Sequence, residues 1–149
     1  MNSNTRLVCM TLPADAEFID VVRLTLYGLC SKVGFSYEEI EDMKVAVAEA
    51  CNNAVVHAYE PGRTGTMDVA FELLESGIRI SVKDEGASFN YAEKVQQAQS
   101  LHEQTLDEAN IGGLGIYLMQ ALMDEVEVKS NGGTEVILTK WLSKSEEMV

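Results

Sequence analysis

The chain has 149 residues, of which 46% are hydrophobic and 23% charged, a composition typical of one globular domain rather than of a disordered or fibrous chain. Eleven basic against 24 acidic residues give a net charge of −13, which argues against binding to nucleic acid or to anionic membranes and favours a basic protein partner. No apolar run approaches the roughly 20 residues of a membrane span, and the first ten residues show no signal-peptide pattern.

The N-terminal part of the chain predicts one strand and two helices. Residues 6–12 alternate loosely and stop at Pro13, which is typical of a strand. Apolar residues then recur at helical spacing over residues 15–33 and end at Gly34. Ser36 and Glu39 form a capping-box pattern, which predicts a second helix over residues 37–58. Its expected core face consists of Ile40, Met43, Val47, Ala50 and Ala54.

The C-terminal part predicts two hairpins separated by a long loop and a helix. Residues 67–73 and 78–82 alternate on either side of a turn. Residues 86–113 have no clean period, so they form either a functional loop or a loop that hides a short helix near 92–101. A helix over 114–124 and strands near 126–129 and 135–141 follow. This order predicts an α/β (α+β) two-layer sandwich, with one mixed, mostly antiparallel sheet and helices on one face.

The three cysteines predict a reducing compartment. Cys9, Cys30 and Cys51 are odd in number, far apart and without metal-ligand spacing, and each lies in an apolar periodic segment. We therefore expect reduced thiols in the core of a cytoplasmic protein.

The second helix carries polar residues in apolar surroundings. Glu49, Asn53 and His57 are four residues apart and therefore share a face of the helix. A carboxylate and an amide among so many apolar neighbours need partners, either within the fold or from a ligand. Because that helix is apolar almost all round, its sequence also predicts deep burial.

Two glycine-bearing segments are further candidates. The segment from Asp84 to Gly86 ends a strand and has two possible readings. It is either a plain turn, or a site in which the Asp84 carboxylate accepts a hydrogen bond from a base amine while Gly86 allows the ligand to approach closely. Residues 112–115 open the third helix and form either a hinge or an anion site made of free N–H groups. They match neither a P-loop nor a dinucleotide fingerprint.

The order and spacing of these three segments resemble a known superfamily. Residues 49–59, 84–89 and 112–116 look like the N box and the two glycine boxes of the GHKL ATPases, which include gyrases, histidine kinases and MutL proteins. Nearly the whole chain resembles the RsbW-type bacterial anti-sigma factors that are also serine protein kinases, most closely over residues 40–50 and 114–119. The resemblance implies a single GHKL (Bergerat) ATP-binding domain over residues 1–149.

The resemblance also implies a role for each site residue. Glu49 would be the catalytic base, and Asn53 would ligate the Mg²⁺ that bridges the ATP phosphates. Asp84 would hold the adenine amine, with Gly86 beneath the base and Thr134 assisting through a water. The segment Gly112, Gly113, Leu114 and Gly115 would bind ATP, with the N–H groups of Gly113 and Gly115 at the phosphates, and residues 86–111 would form the ATP lid.

The implied function is partner switching. The protein would bind and inhibit a sigma factor, phosphorylate a serine of that sigma factor's antagonist with ATP and Mg, and form a homodimer. Two alternatives remain open. The first is an ATP-regulated binding module without catalysis, which the retention of Glu49 disfavours. The second is an ATP-hydrolysing fragment of a repair, topoisomerase or chaperone protein, for which 149 residues leave no room for a second domain.

Overall fold

A computed structural model describes residues 6–57, 65–85, 113–130 and 133–143. They contain helices α1 (Ile19–Val33), α2 (Tyr37–His57) and α3 (Gly113–Leu122), and strands β1 (Arg6–Pro13), β2 (Thr66–Leu74), β3 (Gly77–Asp84), β4 (Glu125–Ser130) and β5 (Thr134–Trp141). The predicted lid over residues 86–111, the possible helix near 92–101, the expected helix end at residue 58 and the turn residues 131–132 lie outside the described residues.

The five strands form one sheet in the order β1-β2-β3-β5-β4. All four pairings between the described strands are antiparallel, and each predicted hairpin is a pair of neighbours in the sheet. The three helices pack on a single face of this sheet. The expected two-layer α/β sandwich with a mostly antiparallel sheet is therefore confirmed.

The hydrophobic core lies between the helices and one face of the sheet, called the inner face below. Its central-strand residues are each at most 2% exposed: Met67, Val69, Phe71, Ile78, Ile80, Val82, Val136 and Leu138. The helices contribute stripes at helical spacing, with Val22 and Leu26 on α1, Met43, Val47, Ala50 and Ala54 on α2, and Ile116 and Met119 on α3. Strand residues at alternate positions and helix residues about 3.6 positions apart pack against each other in this layer.

The start of α2 is fixed by the predicted capping box. Ser36 Oγ accepts the Glu39 N–H at 3.1 Å, and Glu39 Oε1 accepts the Ser36 N–H at 2.9 Å. These two bonds satisfy backbone donors that the first helical turn would otherwise leave free. They also set the phase of the helix, and hence the direction in which Glu49 and Asn53 project thirteen and seventeen residues further along, counted from Ser36.

The expectation that all three cysteines are core thiols is wrong for Cys9. Cys30 and Cys51 are buried, and burial raises the pKa of each thiol to about 12. Cys9 is exposed, because its register partner Ala70 lies on the outer face of the sheet rather than on the inner face. An alternating pattern separates two faces of a strand but does not say which of them is covered.

The expectation that α2 is deeply buried on all sides is also wrong. Val45 is 43% exposed and Val56 is 56% exposed, although the core stripe of the same helix is buried. A single helical layer covers the sheet, so the far side of each helix meets solvent. Within the described residues, no helix has the length and apolarity that crossing a membrane requires.

Candidate functional site

Glu49 and Asn53 lie one turn apart on α2, and both side chains are half-buried. Four residues advance a helix by about 400°, so the two side chains are offset by only about 40° and project from the same side. That side of α2 meets α3. The predicted pairing of a carboxylate and an amide on one face is therefore present.

The first turn of α3 lies against these two side chains. A methyl group on the Cα of Gly115 would stand 3.0 Å from Glu49 Oε1 and 3.9 Å from Asn53 Oδ1. The first of these distances is tighter than ordinary van der Waals contact, so a side chain at Gly115 would displace the Glu49 carboxylate. Glycine at this position is what brings the backbone of α3 next to a carboxylate and an amide oxygen.

The N-terminus of α3 is suited to an anion. The helix begins at Gly113, has ten residues and carries no acidic side chain in its first turn. Its first N–H groups have no partner within the helix, and the helix dipole places partial positive charge at this end. Leu114 is half-buried there, whereas Gly112 lies outside the described residues.

A polar pair interrupts the apolar inner face at one end of the sheet. Asp84, the last residue of β3, is 6% exposed, and its register partner Thr134, the first residue of β5, is 4% exposed. Among the buried polar side-chain atoms of the described residues, only Thr134 Oγ1 has no hydrogen-bond partner. An unsatisfied buried hydroxyl costs about 1–3 kcal/mol, so this atom is suited to a hydrogen bond with a ligand or a water.

Gly133, directly before Thr134, packs its backbone closely against the end of β3. Its φ is +147°, and a methyl group on its Cα would come within 2.3 Å of the Asp84 carbonyl oxygen and 2.9 Å of Glu85 Cα. Only glycine fits both the conformation and the space. The approach fixes the end of β3, and so the position of the Asp84 carboxylate.

Burial raises the pKa of Glu49 above its ordinary value. The cause is desolvation, since removal of water around a carboxylate disfavours its charged form. A raised pKa strengthens a carboxylate as a proton acceptor, and this is the property required of a general base near neutral pH. The role of Glu49 as the base stays a prediction.

The described residues fit a nucleotide. Asp84 offers a buried acceptor for a base amine, Thr134 offers an unpartnered hydroxyl beside it, and the α3 N-terminus offers N–H groups for phosphates. Asp84 and Thr134 lie on the inner face of the sheet, and α3 belongs to the helical layer that packs against the sheet. Polar groups in an otherwise apolar layer orient the bound molecule, as they generally do in small-molecule sites.

The same residues fit Mg²⁺ only together with phosphate. Among the described residues, no group of three or more His, Cys, Asp and Glu side chains could hold a metal ion. Asn53 Oδ1 is a hard oxygen donor near the α3 N-terminus, as its approach to Gly115 shows. Mg²⁺ commonly takes one or two protein oxygens and completes its octahedron with phosphate and water, so a single amide ligand is compatible with it.

The structure brings together two groups of predicted residues. Glu49, Asn53 and Gly115 meet at the α2–α3 contact, and Asp84 pairs with Thr134 across β3 and β5. Gly86 and Gly112 lie outside the described residues, and so does the side chain of His57. Sequence reasoning missed Gly133, which lies between the strands predicted near 126–129 and 135–141. A glycine directly before a site threonine was the available signal.

Comparison with known proteins identifies the family of the chain. Residues 12–140 match the histidine kinase-like ATPase domain family. The chain is 42% identical over 144 residues to serine-protein kinase RsbW of Bacillus subtilis, covering 96% of this chain and 90% of the relative. The protein of the same name from Bacillus pumilus is 46% identical over 147 residues, covering 97% and 91%.

A solved structure has the same fold. The crystal structure of the RsbU and RsbW domains of a Mycobacterium tuberculosis protein superposes with a TM-score of 0.66 at 26% sequence identity. The match covers 93% of this chain and 33% of the solved chain, so this chain corresponds to about a third of that longer protein.

Proposed function

Because this chain belongs to the RsbW family of serine-protein kinases, we propose that it transfers the γ-phosphate of ATP to a serine of an antagonist protein and that it also binds and inhibits a sigma factor. The observation that carries the proposal is the close approach of Gly115 to Glu49 and Asn53. In this proposal the phosphate-binding end of α3 lies beside Glu49 as the base and Asn53 as the metal ligand. Phosphoryl transfer depends mostly on such positioning and on charge neutralisation.

The adenine is held at the Asp84–Thr134 end of the site. The Asp84 carboxylate accepts a hydrogen bond from the exocyclic amine, and the Thr134 hydroxyl completes its hydrogen bonding through a water or the base. Asp84 discriminates adenine from guanine, because guanine carries a carbonyl acceptor where adenine carries the amine. Gly86 lies under the base in this proposal.

The phosphates are held at the start of α3. Gly112, Gly113, Leu114 and Gly115 contribute backbone N–H groups, and Asn53 contributes a side-chain oxygen to the metal. Bound Mg²⁺ supplies charge neutralisation of the phosphate oxygens. The protein residues orient the γ-phosphate toward Glu49 and keep it in line with the incoming hydroxyl.

Glu49 accepts the proton of the substrate serine. As the serine oxygen forms its bond to the γ-phosphorus, the hydroxyl proton passes to a Glu49 carboxylate oxygen and the bond to the β,γ-bridging oxygen breaks. The products are phosphoserine and ADP. Burial of Glu49 raises its pKa and so favours this proton acceptance.

The partners follow from the same family. The net charge of −13 favours proteins with basic surfaces rather than nucleic acid or anionic membrane. We place the protein in the cytoplasm, as a homodimer of single ATP-binding domains over residues 1–149, with residues 86–111 as the ATP lid.

The test is transfer of labelled phosphate from ATP to the antagonist, with Mg²⁺ and with the metal chelated. We expect phosphoserine only with Mg²⁺, and we expect inhibition of the cognate sigma factor in a transcription assay. Asn53→Ala removes the metal ligand and should impair ATP binding and transfer together. ATP binding and sigma-factor inhibition without any transfer would replace the kinase by an ATP-regulated binding module.

A further inference from the structure

Gly133 combines two properties, each of which disfavours any other residue. Its φ of +147° lies in a backbone region that residues with a side chain rarely adopt. A methyl group on its Cα would stand 2.3 Å from the Asp84 carbonyl oxygen, whereas ordinary contacts begin at 3.4 Å. Two other described glycines have one property each. Gly34 has a φ of +109° with open space around it, and a methyl group on Gly77 would stand 2.5 Å from the Lys140 carbonyl oxygen without a positive φ.

The close approach of Gly133 lies between the two residues of the buried polar pair. Gly133 directly precedes Thr134, and Thr134 is the register partner of Asp84 across β3 and β5. A backbone carbonyl cannot rotate aside as a long side chain can. A methyl group at residue 133 would therefore have to move from 2.3 Å to at least 3.4 Å from the Asp84 oxygen, which separates the two strand ends by about 1 Å. Whichever strand moves, Asp84 and Thr134 change their positions relative to each other.

A displacement of this size is large for a hydrogen bond. Bonds from N–H to oxygen are about 2.7–3.2 Å long, so one that lengthens by about 1 Å is lost. Asp84 is 6% exposed and Thr134 is 4% exposed, and closely packed side chains have little room to recover a contact by rotation. The spacing between Gly133 and the end of β3 therefore decides whether Asp84 and Thr134 can reach the same bound molecule.

We propose that Gly133 is a positioning residue for the adenine site. Because it lacks a side chain, it holds Asp84 and Thr134 at the spacing at which both contact one purine ring, and it thereby sets the preference of the site for a purine with an exocyclic amine. The proposal rests on the proposed function, in which Asp84 accepts a hydrogen bond from that amine. It adds the residue that fixes the geometry of this contact and acts through Asp84.

Two nucleotides report the position of the Asp84 carboxylate. Purine riboside triphosphate is ATP without the exocyclic amine, so it cannot donate to Asp84. The wild type should bind Mg–ATP about tenfold or more tightly than this analogue, because a site built for a donor rejects a ligand that lacks it. Gly133→Ala should reduce the preference to about twofold or less, by weakening ATP alone. Calorimetric titration measures the dissociation constants.

Transfer kinetics give a second readout of the same variant. The KM of Gly133→Ala for ATP should rise by the same factor as its dissociation constant. Its kcat at saturating ATP should stay at the wild-type value, since Glu49 and Asn53 lie at the contact between α2 and α3 rather than on β3 or β5.

Two glycine variants separate the proposed role from backbone strain and from general destabilisation. Gly34→Ala places a side chain at a positive φ without a clash, and Gly77→Ala produces a clash between β3 and β5 without a positive φ. Gly77 begins β3 and Asp84 ends it, so the second control disturbs the same pair of strands about 23 Å from the adenine site. Both variants should melt at a lower temperature and keep the wild-type preference for ATP.

A double variant tests whether Gly133 acts through Asp84. Asp84→Asn alone should already abolish the preference for ATP over the analogue. Adding Gly133→Ala to it should then change the preference no further, because the contact that Gly133 positions is gone. A further loss of preference in the double variant, equal to the loss that Gly133→Ala causes alone, would overturn the proposed route through Asp84.

The outcomes separate this role from the proposed function. Loss of the preference in Gly133→Ala, with the preference kept in Gly34→Ala and Gly77→Ala, supports the role. An unchanged preference in Gly133→Ala, or an equal loss in Gly77→Ala, overturns it and leaves the proposed function standing. If Gly133→Ala is unfolded without nucleotide, equal rescue of folding by ATP and the analogue supports the role, whereas rescue by ATP alone or by neither overturns it. A wild type without any preference contradicts the proposed contact of Asp84 with adenine, and the role of Gly133 with it.

Discussion

Apolar side chains are usually buried and polar side chains exposed, and two regions of α2 depart from this rule in opposite directions. Around Glu49 and Asn53, polar side chains are half-buried, and at the start of β5 the buried Thr134 hydroxyl has no partner within the described residues. Around Tyr37 and Val45, large apolar side chains stand in water. A buried polar group without a partner fits a polar ligand, whereas exposed apolar side chains fit an apolar surface. Each mismatch therefore indicates the class of molecule that completes it.

We expect substitutions in the two regions to have separate effects on the activity of the protein. Substitutions around Glu49, Asp84 and Thr134 should change nucleotide binding or the rate of transfer and leave antagonist recognition alone. Substitutions around Tyr37 and Val45 should leave nucleotide binding and the rate of transfer unchanged. The four predictions below bear on the nucleotide side, where the structure supplies the closer geometry.

The largest effect is expected for Glu49→Gln. The glutamine amide has nearly the same shape but cannot accept the serine proton in this step, so kcat should fall by about 10²–10⁴ while ATP affinity and KM for the antagonist stay close to wild type. Single-turnover transfer and ATP titration measure the two quantities. Glu38→Gln, an exposed position in the first turn of α2, is the control. Transfer at the wild-type rate by Glu49→Gln would remove the base from the mechanism.

The next effect is on ATP affinity. Asp84→Asn keeps the volume but can place an amide donor against the adenine amine, which should cost about 1–3 kcal/mol, or roughly 5–150-fold in the dissociation constant. Calorimetric titration with Mg–ATP measures it. Asp68→Asn changes an exposed aspartate that accepts from Thr11 at 2.6 Å and should leave the affinity unchanged. Equal affinities of Asp84→Asn and wild type would exclude Asp84 from the adenine site.

A smaller and two-sided effect is expected for Thr134→Val. The substitution removes the unpartnered hydroxyl, so the nucleotide-free protein should gain about 1 kcal/mol in its free energy of unfolding. ATP should bind about two- to tenfold more weakly, because the hydroxyl satisfied by the ligand or its water is lost. Denaturant titration without nucleotide measures the gain in stability, and calorimetry with ATP measures the loss of affinity. Lower stability of the free variant would show that Thr134 is already satisfied.

The smallest effect is on the pH dependence of stability. Burial raises the folded-state pKa of Glu49, so its contribution to stability is full below its ordinary value of 4.5 and is lost as pH rises through the raised value. Without nucleotide, Glu49→Gln should therefore melt at a higher temperature than wild type at pH 7, and the difference should shrink as pH falls toward 4.5. A difference that grows on acidification would mean that Glu49 is stabilised as an anion.

The sequence was sufficient wherever the determining interactions are local. The capping box of Ser36 and Glu39 sets where α2 begins, and a spacing of four residues then puts Glu49 and Asn53 on one side. The strand and helix patterns likewise predicted the two-layer fold, since alternation and helical spacing are properties of short windows.

The sequence was insufficient wherever the answer depends on distant pairing. Thr134 faces Asp84 only because β5, fifty residues further along, is the neighbour of β3. Gly133 approaches the Asp84 carbonyl for the same reason. The exposed Cys9 and the exposed apolar residues of α2 show the related limit: an apolar side chain is assigned to the core by type, whereas the arrangement of layers decides which faces are covered.

The most direct measurement is a crystal structure of the full chain with Mg²⁺ and a non-hydrolysable ATP analogue. The proposed site predicts the adenine amine within about 3 Å of the Asp84 carboxylate, the phosphates at the first turn of α3, and Asn53 Oδ1 in the coordination sphere of the metal. A nucleotide bound away from Asp84 and Thr134, or a metal that Asn53 does not ligate, would contradict it.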